Sequence, residues 1–237
     1  MRPPIQRIES RSVTELVTAE LRRSIVAGDL APGEPFSLRR VAEMLDVSFI
    51  PVREAVRNLE SEGLIITRPG RSAIVAPLDL EDLQAIYRLR RTLEPELAAR
   101  SCRVISVAEL DRLAAQAVDF GDARHTIQTV YDSHHEFHAA LLAPAASPWD
   151  VRLMNLLWRA AERYIRIGFG SAEGAAGDNH RHQRAHEDLL DVFRGRDPVA
   201  VREAVLVHLT HNEESALAAL RKATVVVEGQ GEQKGSA

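Results

Sequence analysis

The chain has 237 residues, of which 45% are apolar, 27% charged and 5% aromatic, and its formal net charge is −4. We see no secretory signal and no apolar run of the roughly 20 residues that a bilayer requires, so we expect a cytoplasmic protein without a membrane span. The single cysteine, Cys102, excludes an intramolecular disulfide and a cysteine-based zinc cluster. Residues 1–77 carry 11 arginines and 10 acidic residues, a net charge of +1 that leaves −5 for the rest. This small asymmetry permits DNA binding at the N-terminal end without requiring it.

Residues 1–77 carry signals for three helices followed by a β-hairpin. Ser12 and Glu15 form a capping box, which predicts the start of a helix, and Gly28 is expected to end it. We expect the second helix to begin at Ser37 and the third to run from Phe49 to the turn before the hairpin. Two β-prone runs around a Pro-Gly turn predict the hairpin. This order is typical of a winged helix-turn-helix, whose third helix enters the major groove of DNA.

Residues 48–56 read Ser-Phe-Ile-Pro-Val-Arg-Glu-Ala-Val, and residues 30–34 read Leu-Ala-Pro-Gly-Glu. Both stretches resemble the signature of the GntR family of bacterial repressors, and the resemblance extends over about residues 12–76. It implies a homodimer that binds double-stranded operator DNA. Carried over by position, it implies DNA contacts at four residues, namely Arg39, Ser48, Arg53 and the wing residue Gly70.

Two positions depart from the family pattern. Phe49 stands where the family usually has arginine; an aromatic ring can contact a thymine methyl group but cannot make a bidentate pair with guanine. We therefore include Phe49 among the DNA-binding residues and expect an operator that differs from the family's common one. Asp46 replaces a usual glycine, and aspartate tolerates left-handed backbone geometry better than most residues. The alternative is a helical scaffold with solvated arginines, which the agreement of turn, proline and wing opposes.

The remainder of the chain predicts an all-α bundle, because its apolar residues recur at helical spacing and no strand pattern is present. We expect a domain over residues 78–223 and a disordered tail over residues 224–237. A Gly/Ala/Ser-rich stretch at 168–177 predicts a mobile loop. The six expected helices cover about residues 80–102, 107–120, 124–142, 148–167, 179–194 and 198–222.

Four histidines are candidate metal ligands. His134 and His138 are four residues apart, so they share one helix face. His186 and His208 both lie roughly 15 Å from the turn at 195–198, if the last two helices form an antiparallel hairpin. The four imidazoles can then converge in the bundle interior, where helix bundles build metal sites. Five other histidines do not have positions that bring them to this site: His125, His135, His180, His182 and His211.

Short motifs around Arg90, Phe137, His186 and His208 resemble the FCD ligand-binding domain of the FadR branch of the GntR family. The expected number of six helices, rather than seven, favours the VanR-type variant of this domain. The resemblance implies a metal site of one aspartate and three histidines, and His134 stands at the aspartate position. Because imidazole replaces a carboxylate, we expect Zn²⁺ or Ni²⁺ rather than Mn²⁺. Asp132, two residues away, is a weak substitute ligand.

In the FCD family a small carboxylate metabolite binds beside the metal with the help of an arginine, whose position is held here by Arg90. The alternative is that Arg90 is an exposed helix residue paired with Glu94. Our leading hypothesis is a homodimeric transcriptional regulator, expected to be a repressor, that responds to such an acid. A metalloenzyme is the alternative from another class, although no His-Glu-x-x-His motif is present. A third possibility is the same regulator with a purely structural metal.

Overall fold

The computed structural model describes residues 12–67, 72–119, 127–170 and 175–233. The chain divides into two compact units, Met1–Pro77 and Leu78–Ala237, each with its own hydrophobic core. Nine α-helices and three short strands lie in the described ranges. None of these helices combines the length and the apolar character needed to cross a membrane.

The N-terminal unit is a winged helix-turn-helix, as the sequence predicted. Its first helix has the expected capping box, in which the Ser12 hydroxyl accepts from the Glu15 amide and the Glu15 carboxylate accepts from the Ser12 amide. Gly28 ends this helix in the left-handed conformation at φ 83°. Asp46 is also left-handed, at φ 50°. The elements are α1 Val13–Ala27, β1 Pro35–Phe36, α2 Leu38–Met44, α3 Phe49–Ser61, β2 Ile65–Ile66 and β3 Ala73–Val75.

The wing is a three-stranded antiparallel sheet in the order β1-β3-β2. The sequence predicted the β2–β3 hairpin but missed β1, in which Pro35 pairs with Ile74 and Phe36 with Ala73. Two residues are too few to show an alternating pattern, and a proline argues against a strand except at an edge. β1 is such an edge strand.

Helix α3 is held by one buried face and one ion pair. Val52, Ala55, Val56 and Leu59 are all at most 2% exposed and pack into the core with α1. Close to the end of α3, Glu62 receives hydrogen bonds from the Arg22 side chain, with an Nη2–Oε1 distance of 2.7 Å. These contacts fix α3 on α1 and leave its opposite face in solvent.

The C-terminal unit is an all-α bundle of six helices in its described part, as predicted. A short 3₁₀ turn at Ala143–Ala145 joins the third and fourth of them. The helices are α4 Leu80–Ser101, α5 Val107–Asp119, α6 Ile127–Leu142, α7 Pro148–Gly170, α8 Ala175–Arg194 and α9 Pro198–Gln233.

Two expectations about this unit differ from the structure. The mobile loop expected at 168–177 is helical at both ends, because α7 continues to Gly170 and α8 begins at Ala175, and residues 171–174 lie outside the described residues. Helix α9 continues to Gln233, through ten residues of the tail that we expected to be disordered. Isolated glycines cost a helix only about 1 kcal/mol each relative to alanine, and no proline interrupts either stretch.

Helix α4 packs against α7 and α9, and α8 packs beside α5 and α9, so the inner faces of α4, α6, α8 and α9 enclose a common interior. Phe137 on α6 is fully buried and contacts the His138 and His186 rings edge-on, at centroid distances of 5.3 and 5.1 Å. Cys102 is fully buried, in agreement with a packing role. The fold therefore places histidine-bearing faces of three helices against one another.

Candidate functional site

The four candidate ligands come together in the C-terminal unit. Helix α6 contributes His134 and His138, α8 contributes His186, and α9 contributes His208. One ring nitrogen from each lies within 4.8 Å of the other three. His134, His138 and His186 are 8%, 7% and 0% exposed, and His208 is partly buried. Three separate helices thus deliver four imidazoles to one small volume, which we name the histidine cluster.

His138 occupies the centre of the histidine cluster. Its Nε2 lies 3.2 Å from Nε2 of His134 and 3.2 Å from Nε2 of His186. A neutral imidazole nitrogen carries either one proton or one lone pair, so His138 Nε2 cannot form a good hydrogen bond with both neighbours. At least one pair of nitrogens then faces each other unfavourably. A cation between them removes this repulsion, because it converts each facing lone pair into a coordinating bond.

The spacing around His138 is close to that of metal ligands, and the four candidate ligand nitrogens lie at most 4.8 Å apart. Zinc–nitrogen bonds of about 2.0–2.1 Å in a tetrahedron place neighbouring nitrogens roughly 3.3 Å apart. The two 3.2 Å distances at His138 agree with such edges. Among the described residues, the cluster contains histidines alone and no carboxylate. Borderline nitrogen ligands of this kind suit Zn²⁺, Ni²⁺ and Cu²⁺ better than Mn²⁺.

Burial and neighbouring charges keep the central residue of the cluster, His138, in its neutral form. Burial lowers the pKa of His138 well below its usual value, and the neighbouring imidazoles and Arg90 lower it further. A neutral imidazole is the species that binds a metal. On α9, the Asn212 amide nitrogen Nδ2 lies 3.1 Å from His208 Nε2.

Arg90 lies inside the bundle close to the cluster. It is 3% exposed, and its Nε donates to Glu94 Oε1 at 2.6 Å. The same oxygen accepts a hydrogen bond from Trp158 Nε1 at 3.0 Å. The guanidinium stacks over the Tyr87 ring at 4.7 Å, and burial raises the pKa of that tyrosine. The alternative prediction for Arg90 was therefore right that its side chain pairs with Glu94, but wrong that the side chain is exposed.

The sequence indicated Glu94 only as a surface partner of Arg90, and it did not indicate Trp158 at all. One available signal was the helical spacing of Tyr87, Arg90 and Glu94, which recur at i, i+3 and i+7 and so share the inner face of α4. Nothing in the local sequence indicated Trp158, which comes from α7, 64 residues after Glu94.

The remaining histidines do not join the cluster in the described part of the chain. His135 is partly buried and its ring lies 5.1 Å from the Trp158 ring, and His211 is exposed on α9. His125 lies outside the described residues, and so do the side chains of His180, His182 and Asp132.

In the N-terminal unit, the expected DNA-binding residues are on the surface. Arg39 on α2 and Ser48, Phe49 and Arg53 at the start of α3 are all exposed, whereas Gly70 lies outside the described residues. Ser48 is the N-cap of α3, yet its side chain makes no capping hydrogen bond. Its hydroxyl and the amides at the start of α3 form a favourable place for a phosphate.

Residues 13–75 match the family model of the bacterial regulatory proteins of the gntR family, and residues 85–211 match the FCD domain. The HTH-type transcriptional regulator Mce2R of Mycobacterium tuberculosis (strain CDC 1551 / Oshkosh) is 40% identical over 227 residues, which cover 84% of this chain and 90% of that protein. The HTH-type transcriptional repressor RspR of Escherichia coli (strain K12) is 27% identical over 210 residues, 87% of this chain and 90% of that protein.

The solved structure of E. coli McbR/YncC has the same fold, with a TM-score of 0.75 at 21% sequence identity. The similarity covers 91% of this chain and all of that chain. A GntR-type regulator from Rhodococcus sp. RHA1 gives a TM-score of 0.70 at 23% identity, covering 88% of this chain and 99% of that one.

Proposed function

The chain belongs to the GntR family of bacterial regulatory proteins with an FCD domain and is a DNA-binding transcriptional regulator, and from this premise we propose that it is a metal-dependent repressor. In this proposal two copies bind an operator in the cytoplasm, and a small carboxylate beside the metal releases them. The observation that carries the proposal is the convergence of four histidine nitrogens within 4.8 Å. One relative is named as a repressor, which favours that sign of regulation.

We propose His134, His138, His186 and His208 as the ligands of a resident Zn²⁺ or Ni²⁺. Four neutral imidazoles leave the full double positive charge of the ion in place, whereas an aspartate ligand would cancel one unit of it. Arg90 adds a positive charge close by, and Glu94 offsets it. The loaded site therefore carries a net positive charge in a buried setting, where electrostatic interactions are strong.

This charge favours an anionic effector. A carboxylate would enter as a fifth ligand, expanding the coordination of the metal beyond the four histidines. It would also pair with the guanidinium of Arg90, whose charge already reaches His138. Binding of the acid changes operator affinity only if the acid binds the DNA-free arrangement more tightly.

At the operator we propose that Ser48 contacts phosphate, Arg39 phosphate or base, and Arg53 a base edge in the major groove, with Phe49 beside them and Gly70 in the wing. A homodimer would present two such surfaces to a pseudo-palindromic site. Replacing Arg53 with alanine is expected to weaken operator binding about 5- to 150-fold, the range for one base contact of about 1–3 kcal/mol. Arg23→Ala is the matched control, since Arg23 is exposed on α1 and paired with Glu20 and Asp29.

The test is a fluorescence-anisotropy titration of full-length protein against DNA from upstream of its own gene. We expect tight binding by zinc-loaded protein, weaker binding after treatment with a chelator, and release of the loaded protein from DNA by one of a panel of small mono- and dicarboxylic acids. Failure to bind any such DNA at low salt contradicts the operator role. Binding that no acid in the panel alters contradicts the effector role.

A regulator with a purely structural metal is the second candidate. In that case chelation lowers the melting temperature, while the acid response of the protein that remains folded is unchanged. The metalloenzyme alternative is set aside, because the relatives are transcriptional regulators. The prediction that the chain is not an enzyme is thereby confirmed.

Metal preference is expected to depend on His134. The substitution His134→Asp introduces a carboxylate, so the Mn²⁺ affinity should rise relative to the Zn²⁺ affinity by roughly tenfold, equivalent to about 1.4 kcal/mol. Competition titrations with both ions measure this ratio. His134→Asn is the control, because asparagine has the shape of aspartate without its charge, and it should not raise the ratio of Mn²⁺ to Zn²⁺ affinity. If both variants give the ratio of the natural protein, His134 is not a ligand.

A further inference from the structure

The exposed start of the recognition helix α3 is unusually apolar. Phe49 and Ile50 are its first two residues, and they are 42% and 63% exposed. The buried face of the same helix is already complete, because Val52 and Ala55 are fully buried in the core. Two adjacent large apolar side chains that the core does not use are thus available to contact a partner surface at the position where a recognition helix meets DNA.

Helical geometry defines what lies next to them. Ile50, Arg53 and Arg57 recur at i, i+3 and i+7, so they form one stripe along the outer face of α3. The two arginines share Glu54, with Arg53 Nε and Arg57 Nη1 at 3.5 and 3.1 Å from its Oε1. The stripe is therefore charged but partly neutralised in its middle and apolar at its N-terminal end.

The N-terminal residues of a recognition helix are those that contact base edges in the major groove. Neither Phe49 nor Ile50 can donate or accept a side-chain hydrogen bond. In the major groove thymine presents the O4 acceptor together with a methyl group at C5, and no other base of DNA carries a methyl group there. An apolar side chain therefore gains a contact surface on thymine that guanine and cytosine do not offer, and it satisfies none of their donors and acceptors.

We propose that Phe49 and Ile50 form a thymine-methyl reader, and that each operator half-site carries thymine where the first turn of α3 meets the groove. The inference rests on the proposed docking of α3 in the major groove, and it adds the identity of the base that the docked helix selects. Because both residues form the exposed start of α3, we assign specificity for thymine to Ile50 as well as to Phe49. Arg53 and Arg57 then supply polar and phosphate contacts further along the stripe.

The test begins with selection of binding sites by the full-length protein from a randomised duplex library. Each thymine of the selected half-site is then replaced singly by deoxyuridine, which removes only the 5-methyl group, and binding is measured by anisotropy. At one or two thymines we expect the affinity to fall about fourfold, which corresponds to about 0.8 kcal/mol for one buried methyl group. The remaining thymines serve as internal controls.

The protein side of the test uses substitutions at exposed positions, which leave the core intact. Phe49→Ala and Ile50→Ala should each weaken binding to thymine-containing DNA and remove the penalty for deoxyuridine at the contacted base. Phe49→Arg should shift the selected base at that position from thymine to guanine. Leu16→Ala is the matched control, because Leu16 is an apolar residue on α1 with 52% exposure.

The outcomes separate this inference from the function on which it rests. If selection yields no bound DNA, the operator role itself fails. If DNA is bound but deoxyuridine is tolerated at every thymine, the methyl reader is refuted while the operator role stands. Selection of guanine at the contacted base by the natural protein also refutes it.

Discussion

The substitution His138→Ala is expected to abolish tight zinc binding. His138 Nε2 lies 3.2 Å from nitrogens of both His134 and His186, so its loss removes the central ligand and separates the others. Loss of an outer-shell partner alone typically costs 10- to 100-fold in metal affinity, so loss of a ligand should exceed about 100-fold. Competition against a chromophoric zinc chelator measures the change directly.

His211→Ala is the matched control for this substitution. His211 lies on α9, three residues after His208, but it is exposed and outside the histidine cluster. It should leave zinc affinity unchanged. Chelation should lower the melting temperature of the natural protein and of His211→Ala, because a ligand that binds only the folded state stabilises it. A His138→Ala protein that retains one tightly bound zinc per chain would disprove the cluster as the metal site.

Much of the convergence of the histidines could be anticipated from sequence, because the pairing of His134 with His138 and of His186 with His208 depends on helical geometry. The i, i+4 spacing of His134 and His138 fixes a shared face. The near-equal distances of His186 and His208 from the turn at 195–198 set their common level in a helical hairpin. Neither step needs knowledge of side-chain packing, and both rest on elements whose type the structure reproduces.

The surroundings of Arg90 could not be anticipated in the same way. Its pairing with Glu94 follows from i, i+4 spacing, but its burial depends on how α4 packs against α7 and α9. The hydrogen bond from Trp158 joins residues 64 positions apart, which no local pattern encodes. The same limitation explains the missed strand β1, whose only signal is its pairing with β3.

The substitution Glu94→Ala is expected to have the largest effect on folding. Arg90 and Glu94 are both 3% exposed in their side chains, and the carboxylate also accepts from Trp158 Nε1. Removing one partner of a buried ion pair typically costs about 3–5 kcal/mol, because it leaves a charge without compensation in a low-dielectric setting. For a unit of this size the melting temperature should fall by roughly 10 °C. Chemical and thermal unfolding of the metal-free protein measure both quantities.

Glu96→Ala provides the comparison, because Glu96 lies two residues away on the same helix and pairs with Arg202 at 2.7 Å on the surface. Water and salt screen exposed pairs, which therefore contribute little, so the melting temperature of this variant should hardly change. An equal loss in both variants would mean that the Arg90–Glu94 pair is not buried in solution.

The double substitution Arg90→Met, Glu94→Met removes both charges and should recover much of the stability. Because it also removes the guanidinium, this folded variant should bind zinc and operator DNA yet no longer respond to the acid, which separates the structural role of Arg90 from its proposed role in effector binding.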